Sequence, residues 1–204
     1  MRCLALLAIA AAGCASARPA SHVFAGIPET AHPSCEPISA AGIELGASLG
    51  SVGNRCLRAG HEWTSLDNGG RCDAPLARMP YPSSVRVVAV ALEVVAVHVR
   101  FDREFGGTAN LDEGASALLE QLEGRYGHGT PSGGFEACPG ERAWECVLAG
   151  SEIAQVEWTA ESCGTATSIV LRAEGDRTAH DWRVSITYYT DAARGALDFD
   201  HADL

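Results

Sequence analysis

The sequence contains no lysine, and this absence excludes several kinds of chemistry. All 15 basic residues among its 204 are arginine, and 26 residues are acidic, so the formal net charge is −11. A P-loop lysine, a Schiff-base lysine and a lysine general base are therefore excluded. A polyanion would be repelled by this net charge, so we expect no nucleic-acid partner.

Local motifs for metal binding and catalysis are scarce as well. No H-E-x-x-H or C-x-x-C pattern occurs. The glycine-rich segment 126–134 follows a predicted helix and lacks lysine, which is typical of a connector and not of a phosphate site. A metal site or a His–Asp dyad would need partners from distant parts of the chain. We therefore expect no catalytic side chain, no metal and no cofactor. The histidines of the predicted folded body are His61, His98, His128 and His180.

The N-terminus has the proportions of an export signal. Met1-Arg2 precede the apolar run Cys3–Ala12, which is shorter than the roughly 20 residues of a membrane-spanning helix. Residues 11–14 (AAGC) resemble the lipobox of bacterial lipoproteins, although Ala11 stands where leucine or valine is usual. The resemblance implies acylation of Cys14 and an anchor in the outer or the cytoplasmic membrane of the cell envelope. Residues 15–17 (ASA) offer an alternative signal-peptidase site, which would give a secreted protein.

Composition divides the remainder of the chain. We predict a signal peptide over 1–13, a flexible tether rich in Ala, Ser, Pro and Gly over 14–42, and a folded domain over 43–204. The apolar segment 85–101 is not a membrane span, because Arg86, Glu93 and His98 interrupt it.

Six cysteines lie beyond the proposed lipid site, and an even number in an exported chain predicts disulfides. Spacing leaves all 15 connectivities open. The favoured set pairs Cys56 with Cys72, Cys138 with Cys146, and Cys35 with Cys163. The first of these pairs would tie a helix to the strands that follow it.

Hydrophobic periodicity predicts the order helix, strands, helix, strands. The first helix is expected over 48–59, with Ser48 as its N-cap and an apolar face that includes Leu57. Two strands are expected within 84–102, with the turn at Glu93. A second helix is expected from an N-cap at Asn110 to Gly127. Alternation predicts three further strands within 154–188.

These elements predict an α+β fold in which an antiparallel sheet carries two helices on one face, as a diverged duplication of a helix-plus-strands unit. The layout, with Gly42–Ala59 (GIELGASLGSVGNRCLRA) and Tyr126-Gly127 at the end of the second helix, resembles the β-lactamase-inhibitor-like fold, which includes small lipoproteins of the outer-membrane assembly machinery. The resemblance bears on the fold and places no target-binding residue on this chain.

Two functions from different classes remain open. The first is a non-catalytic, lipid-anchored binding module whose partners are the membrane, through its anchor, and another envelope protein. Trp63 and Trp144 are its candidate contact residues if they are exposed. The second is an exported hydrolase with a site assembled from distant loops.

Overall fold

The computed structural model describes residues 36–77, 83–101, 108–132, 153–176 and 181–193. All of them belong to one compact unit of the chain, which lies within Cys35–Leu204. The described residues form two α-helices, ten strands and a short 3₁₀ helix. The helices are α1 (Leu49–Arg58) and α2 (Thr108–Tyr126), and the 3₁₀ helix is Asp191–Ala193. The strands are β1 (Ser39–Ala40), β2 (Ile43–Glu44), β3 (Trp63–Leu66), β4 (Gly69–Cys72), β5 (Ser83–Val90), β6 (Glu93–Phe101), β7 (Thr130–Ser132), β8 (Ile153–Ser162), β9 (Thr165–Asp176) and β10 (Asp181–Thr190).

Eight strands form one sheet in the order β3-β4-β5-β6-β10-β9-β8-β7, and every neighbouring pair is antiparallel. Strands β1 and β2 pair separately as a small hairpin. Among the described residues, each helix is followed along the chain by four strands, and the last strands of the two sets, β6 and β10, pair at the centre of the sheet. The predicted α+β class and the antiparallel sheet are confirmed, and the described elements follow the predicted order from α1 onward, after the β1–β2 hairpin.

The main core lies on one face of this sheet, because alternate residues of β5, β6, β8, β9 and β10 are buried there. Val99 pairs with Ile186, and Val97 pairs with Tyr188, across the central β6–β10 boundary. These residues share one hydrophobic cluster with Val52 of α1 and with Ala115, Leu118 and Leu122 of α2. Burying such side chains contributes roughly 1.5–3 kcal/mol each. The sheet and both helices therefore depend on the same core.

The first helix begins and ends where its sequence predicts. Ser48 is the N-cap, with its Oγ accepting a hydrogen bond from the N–H of Ser51 at 3.2 Å. A disulfide joins Cys56 of α1 to Cys72 of β4, which confirms the predicted pairing. The expectation for Leu57 is wrong, because this side chain is 56% exposed.

Three boundaries differ from the prediction. The β5–β6 turn is formed by Ala91 and Leu92, and Glu93 is the first residue of β6. Helix α2 begins at Thr108, so Asn110 lies inside the helix and is not its N-cap. Strand β1 and the buried Ile38 fall within the segment predicted as tether, so the end of that segment belongs to the folded body.

Strands β3, β4 and β7 were not expected from periodicity. Strand β3 is four residues long with little buried surface, and β4 (GGRC) contains two glycines. Strand β7 is three residues long and includes Pro131. Segments so short and so rich in glycine or proline carry no alternating pattern, and their place at the two ends of the sheet depends on neighbouring strands.

Candidate functional site

One segment of the sequence matches a catalytic motif, but its serine caps a helix. Residues 46–50 (GASLG) fit the G-x-S-x-G pattern of the hydrolase nucleophile elbow. Such an elbow holds its serine in a strained turn, but the backbone of Ser48 is ordinary extended chain, with φ −70° and ψ 135°. Its Oγ caps α1 instead. The structure therefore assigns Ser48 to helix capping.

The candidate contact residue Trp63 is partly buried and packs against α1 and β4. Its indole lies between Gly53 of α1 and Gly70 of β4, and a β-carbon at either glycine would crowd the ring. Trp63 is half-buried against the main core cluster. Because the ring is enclosed by two glycines, this residue serves packing and is a poor platform for a partner.

Several predicted site residues lie outside the described residues. They are Cys14, Cys35, Cys138, Cys146 and Trp144. Cys163 is described and is disulfide-bonded. Its neighbour Ser162 donates a hydrogen bond from Oγ to the carbonyl oxygen of Glu36, so the start of the described chain lies beside the β8–β9 turn.

The strongest candidate site is the face of the sheet that points away from the main core, here called the outer face. Every second residue of a strand points to this face, and cross-strand partners on neighbouring strands form two rows there. One row runs through the aligned positions Arg71, Arg86, His98 and Thr187, in β4, β5, β6 and β10. The other row aligns Arg100, Ser185 and Arg172, in β6, β10 and β9. Antiparallel pairing thus gathers residues more than 100 positions apart in the sequence.

Five arginines share this outer face, and we call them the arginine face; they are Arg71, Arg86, Arg100, Arg172 and Arg183. Arg71 and Arg86 are directly opposite each other on neighbouring strands. Like charges in that arrangement destabilise a sheet. A chain with net charge −11 therefore concentrates positive charge on one surface, at a cost in folding stability.

Carboxylates on the outer face lie towards one side of the arginines. Glu174 forms an ion pair with Arg172, in which Oε2 of the glutamate and Nη2 of the arginine are 2.8 Å apart. Glu157 accepts a hydrogen bond from the hydroxyl of Tyr189 at 3.4 Å. No carboxylate occupies the outward positions of β6 from Ala96 to Arg100. The same holds for the outward positions of β10 from Arg183 to Tyr189.

His98 lies in the middle of the arginine face. Its Nδ1 and Oγ1 of Thr187 are 2.9 Å apart in a hydrogen bond, and Thr187 is only 9% exposed. Burial, and then the charges of Arg86, Arg100 and Arg172, lower the pKa of His98 to about 4. The structure thus places a neutral imidazole, largely buried, within the electrostatic influence of three guanidinium groups. The pattern of outward arginines on adjacent strands could have revealed it, had the strand order been known.

This arrangement suits binding better than proton transfer. Guanidinium groups stay charged and present planar donors that match carboxylate oxygens in pairs. A general base works best with a pKa near the operating pH, and His98 is far below that range. The outer face can therefore attract and orient an anionic group, while its imidazole stays neutral.

The described ranges lack two further features. No group of three or more His, Cys, Asp or Glu side chains is placed there to hold a metal ion. No helix in that part of the chain is long and apolar enough to cross a membrane. Comparison of the chain with models of protein families, with curated proteins and with solved structures finds no match.

Proposed function

We propose that the chain is an exported, lipid-anchored cell-envelope protein that acts as a non-catalytic binding module, with the arginine face as its binding surface. The observation that carries this proposal is the gathering of five arginines on the outer face of an otherwise acidic protein. Export and anchoring are supported by the apolar run 3–12 and by Gly13-Cys14.

We infer a matching architecture, in which both helices cover the core face, the 3₁₀ helix covers part of the outer face, and the exposed arginines of the outer face are left to a partner. Val52 of α1 and Leu118 of α2 belong to the same cluster as the inward residues of the sheet, which supports a common side. The repeated order of one helix and four strands, with β6 and β10 paired at the centre, supports a diverged duplication.

The partner proposed for the arginine face is an acidic segment of another envelope protein. Arginine binds carboxylates through two parallel hydrogen bonds, and such charge-assisted contacts are stronger than neutral ones. A carboxylate placed near Arg100 would also offset the repulsion among guanidinium groups on adjacent strands. A long polyanion such as nucleic acid is disfavoured, because it would meet the net charge of −11 beyond this face.

The test is calorimetric titration of the purified protein with an N-acetylated hexaglutamate peptide at low and at moderate salt. We expect binding that weakens with salt and that falls about tenfold or more in an Arg100→Gln, Arg183→Gln double variant. The matched control is Arg58→Gln with Arg125→Gln, because it removes the same charge from exposed helix positions. Equal losses in both double variants would refute a specific surface.

The hydrolase hypothesis has its own test. Purified protein is assayed with esterase, peptidase, glycosidase and phosphatase substrates, together with Ser48→Ala and with His61, His98, His128 and His180 changed singly to alanine. We expect no turnover in any sample. Turnover in the wild type that disappears in one stably folded variant would refute the binding-module proposal and identify the reacting residue.

A further inference from the structure

A cavity of about 200 Å³ lies between helix α2, strand β1 and the central strands β6 and β10. It is on the same side of the sheet as the main core, so it is separate from the arginine face. The apolar part of its wall is buried and consists of Ala40, Val99, Leu118, Leu122, Ile186 and Tyr188. Packed interiors rarely leave a void of this size, and an apolar cavity of about 150 Å³ already accommodates benzene. The cavity is therefore large enough for a small ligand.

Helix α2 contributes both the interior and the mouth of the cavity. Leu118 and Leu122 are buried in its wall, whereas Gln121 and Arg125, each three residues further along, line it from exposed positions. Residues three and four apart lie on one side of a helix, so the polar groups stand directly on the solvent side of the apolar ones. An apolar interior with a few polar groups at its opening is the usual arrangement of a ligand site.

The turn of the β1–β2 hairpin continues the wall at Ala41 and is held by contacts outside the cavity. Arg55 of α1 donates a hydrogen bond from Nη2 to the carbonyl oxygen of Gly42 at 2.9 Å. The N–H of Ala77 donates to the carbonyl oxygen of Ala41 at 3.0 Å. Because these contacts fix the hairpin independently of a ligand, the wall is preorganised and binding needs little reordering of the chain.

The interior of the cavity favours an uncharged ligand. Among the described residues that line it, Arg125 is the one that carries charge, and its guanidinium carbon lies at the exposed mouth, 5.3 Å from the centroid of the Tyr126 ring. Burial raises the pKa of Tyr188, so its hydroxyl stays neutral. An ionised ligand group moved into this interior would lose its hydration without gaining a charged partner there.

We propose that this cavity binds a small uncharged molecule that has an apolar body of about the size of benzene and one hydrogen-bonding group, which the side chain of Gln121 holds at the mouth. A carboxamide both donates and accepts hydrogen bonds, so it suits a hydroxyl group. The site goes beyond the proposed function and does not depend on it, because the cavity and the arginine face lie on opposite sides of the sheet.

The first measurement is an NMR titration of the purified protein with benzyl alcohol. We expect saturable shifts of the methyl signals of Leu118, Leu122 and Ile186, with a dissociation constant of about 1–10 mM for so small a ligand. Intermolecular NOEs should connect the ring protons of the probe to the same methyl groups. Absence of saturable shifts up to about 50 mM, or NOEs to other methyl groups alone, would overturn the proposal.

The second measurement fills the cavity. Ala40→Leu, whose larger side chain would occupy part of it, should weaken the binding of benzyl alcohol about tenfold or more. The matched control is Ala160→Leu, which adds the same side chain at a partly buried position of β8 that does not line the cavity, and it should bind as the wild type does. Unchanged binding by a folded Ala40→Leu variant would overturn the proposal. If that variant does not fold, the NOEs of the wild type decide the location.

The third measurement tests the class of ligand. Toluene keeps the apolar body and lacks the hydroxyl group, so Gln121→Leu should weaken the binding of benzyl alcohol about fivefold and leave that of toluene unchanged. An equal effect on both probes would refute the role of Gln121. Benzoate should bind about tenfold more weakly than benzyl alcohol, because its charge is poorly solvated in the interior. Benzoate binding as tight as that of benzyl alcohol would overturn the assignment to an uncharged ligand.

Discussion

The indole ring of Trp63 lies against the α-carbon of Gly53, so close that a β-carbon there would come within 3.0 Å of Cε2. Gly70 of β4 closes on the same ring from its own strand, and a β-carbon at that position would overlap the six-membered ring. Trp63 thus joins α1 to the end of the sheet beside the Cys56–Cys72 disulfide. The absence of a side chain at Gly53 therefore allows the indole ring to pack against α1.

The two glycines of α1 should therefore respond in opposite directions to alanine. Nothing lies within 4 Å of a β-carbon at Gly50, so Gly50→Ala should stabilise the protein by about 0.5–1 kcal/mol through helix propensity. Gly53→Ala should destabilise it by about 1–3 kcal/mol, because the ring must shift in a packed site. Urea unfolding measures both variants, and equal stability of the two would contradict the packing described for Trp63.

The β5–β6 turn provides a second prediction. Ala91 and Leu92 occupy the left-handed region, with φ of 51° and 69°, where a leucine is strained and glycine is not. Leu92 is 73% exposed, so its side chain contributes little packing. Leu92→Gly should therefore raise the free energy of unfolding by about 1 kcal/mol.

The control for the turn is the same substitution at an exposed leucine in a helix. Leu57→Gly should lower the free energy of unfolding by about 1 kcal/mol, because α1 is right-handed at that position. Thermal or urea unfolding compares the two variants directly. A loss of stability in both would show that the side chain of Leu92 contributes more than its backbone strain costs.

Sequence reasoning located the start of α1 and the end of α2 from local signals, missed the local boundaries at Asn110 and Glu93, and could not foresee features that depend on distant contacts. Ser48 and the glycine after Tyr126 mark helix ends through chemistry that acts within a few residues. The arginine face was not foreseen, because Arg86, Arg100 and Arg172 become neighbours only through the order of strands. Periodicity reports which residues share a face of one strand, but not which strands are adjacent.

His98 should make stability depend on pH. Its pKa is about 4 in the folded protein, lowered by burial and by Arg86, Arg100 and Arg172, against about 6.5 in the unfolded chain. The unfolded state therefore binds the proton more readily than the folded state. The contribution of His98 to the free energy of unfolding is present above pH 6.5 and is lost as the pH falls to about 4. The loss over this range is of the order of 3 kcal/mol.

The measurement is urea unfolding between pH 7 and pH 4 for the wild type and for His98→Gln. The variant should lose markedly less stability over this interval, since it has no imidazole to protonate. His128→Gln is the control, because the side chain of His128 is 94% exposed, and it should follow the wild-type pH dependence. Parallel curves for the wild type and His98→Gln would contradict the enclosed, neutral histidine.

Disulfides supply a fourth prediction. Cys56 and Cys72 are 16 residues apart, and closing a loop of this size stabilises a protein by about 3 kcal/mol. The free energy of unfolding of the Cys56→Ala, Cys72→Ala double variant should be lower by about that amount, as measured by urea unfolding.

Peptide mapping of the unreduced protein should also link Cys163 to Cys35, because Ser162 contacts Glu36. A Cys163 linkage to Cys138 or Cys146 would contradict this assignment.

The final prediction concerns the attachment of the protein to the envelope. Gly13-Cys14 directly follows the apolar run of the leader, so the thiol of Cys14 should carry a lipid and residue 14 should be the mature N-terminus. Mass spectrometry of the N-terminal peptide from membranes should find the acyl mass on Cys14. Cys14→Ser should remove the protein from the membrane fraction or leave the precursor uncleaved, whereas Cys3→Ser, within the leader, should change neither result. An unacylated chain beginning at Arg18 would instead establish cleavage after Ala17 and a secreted protein. Binding by the arginine face would then take place away from any membrane.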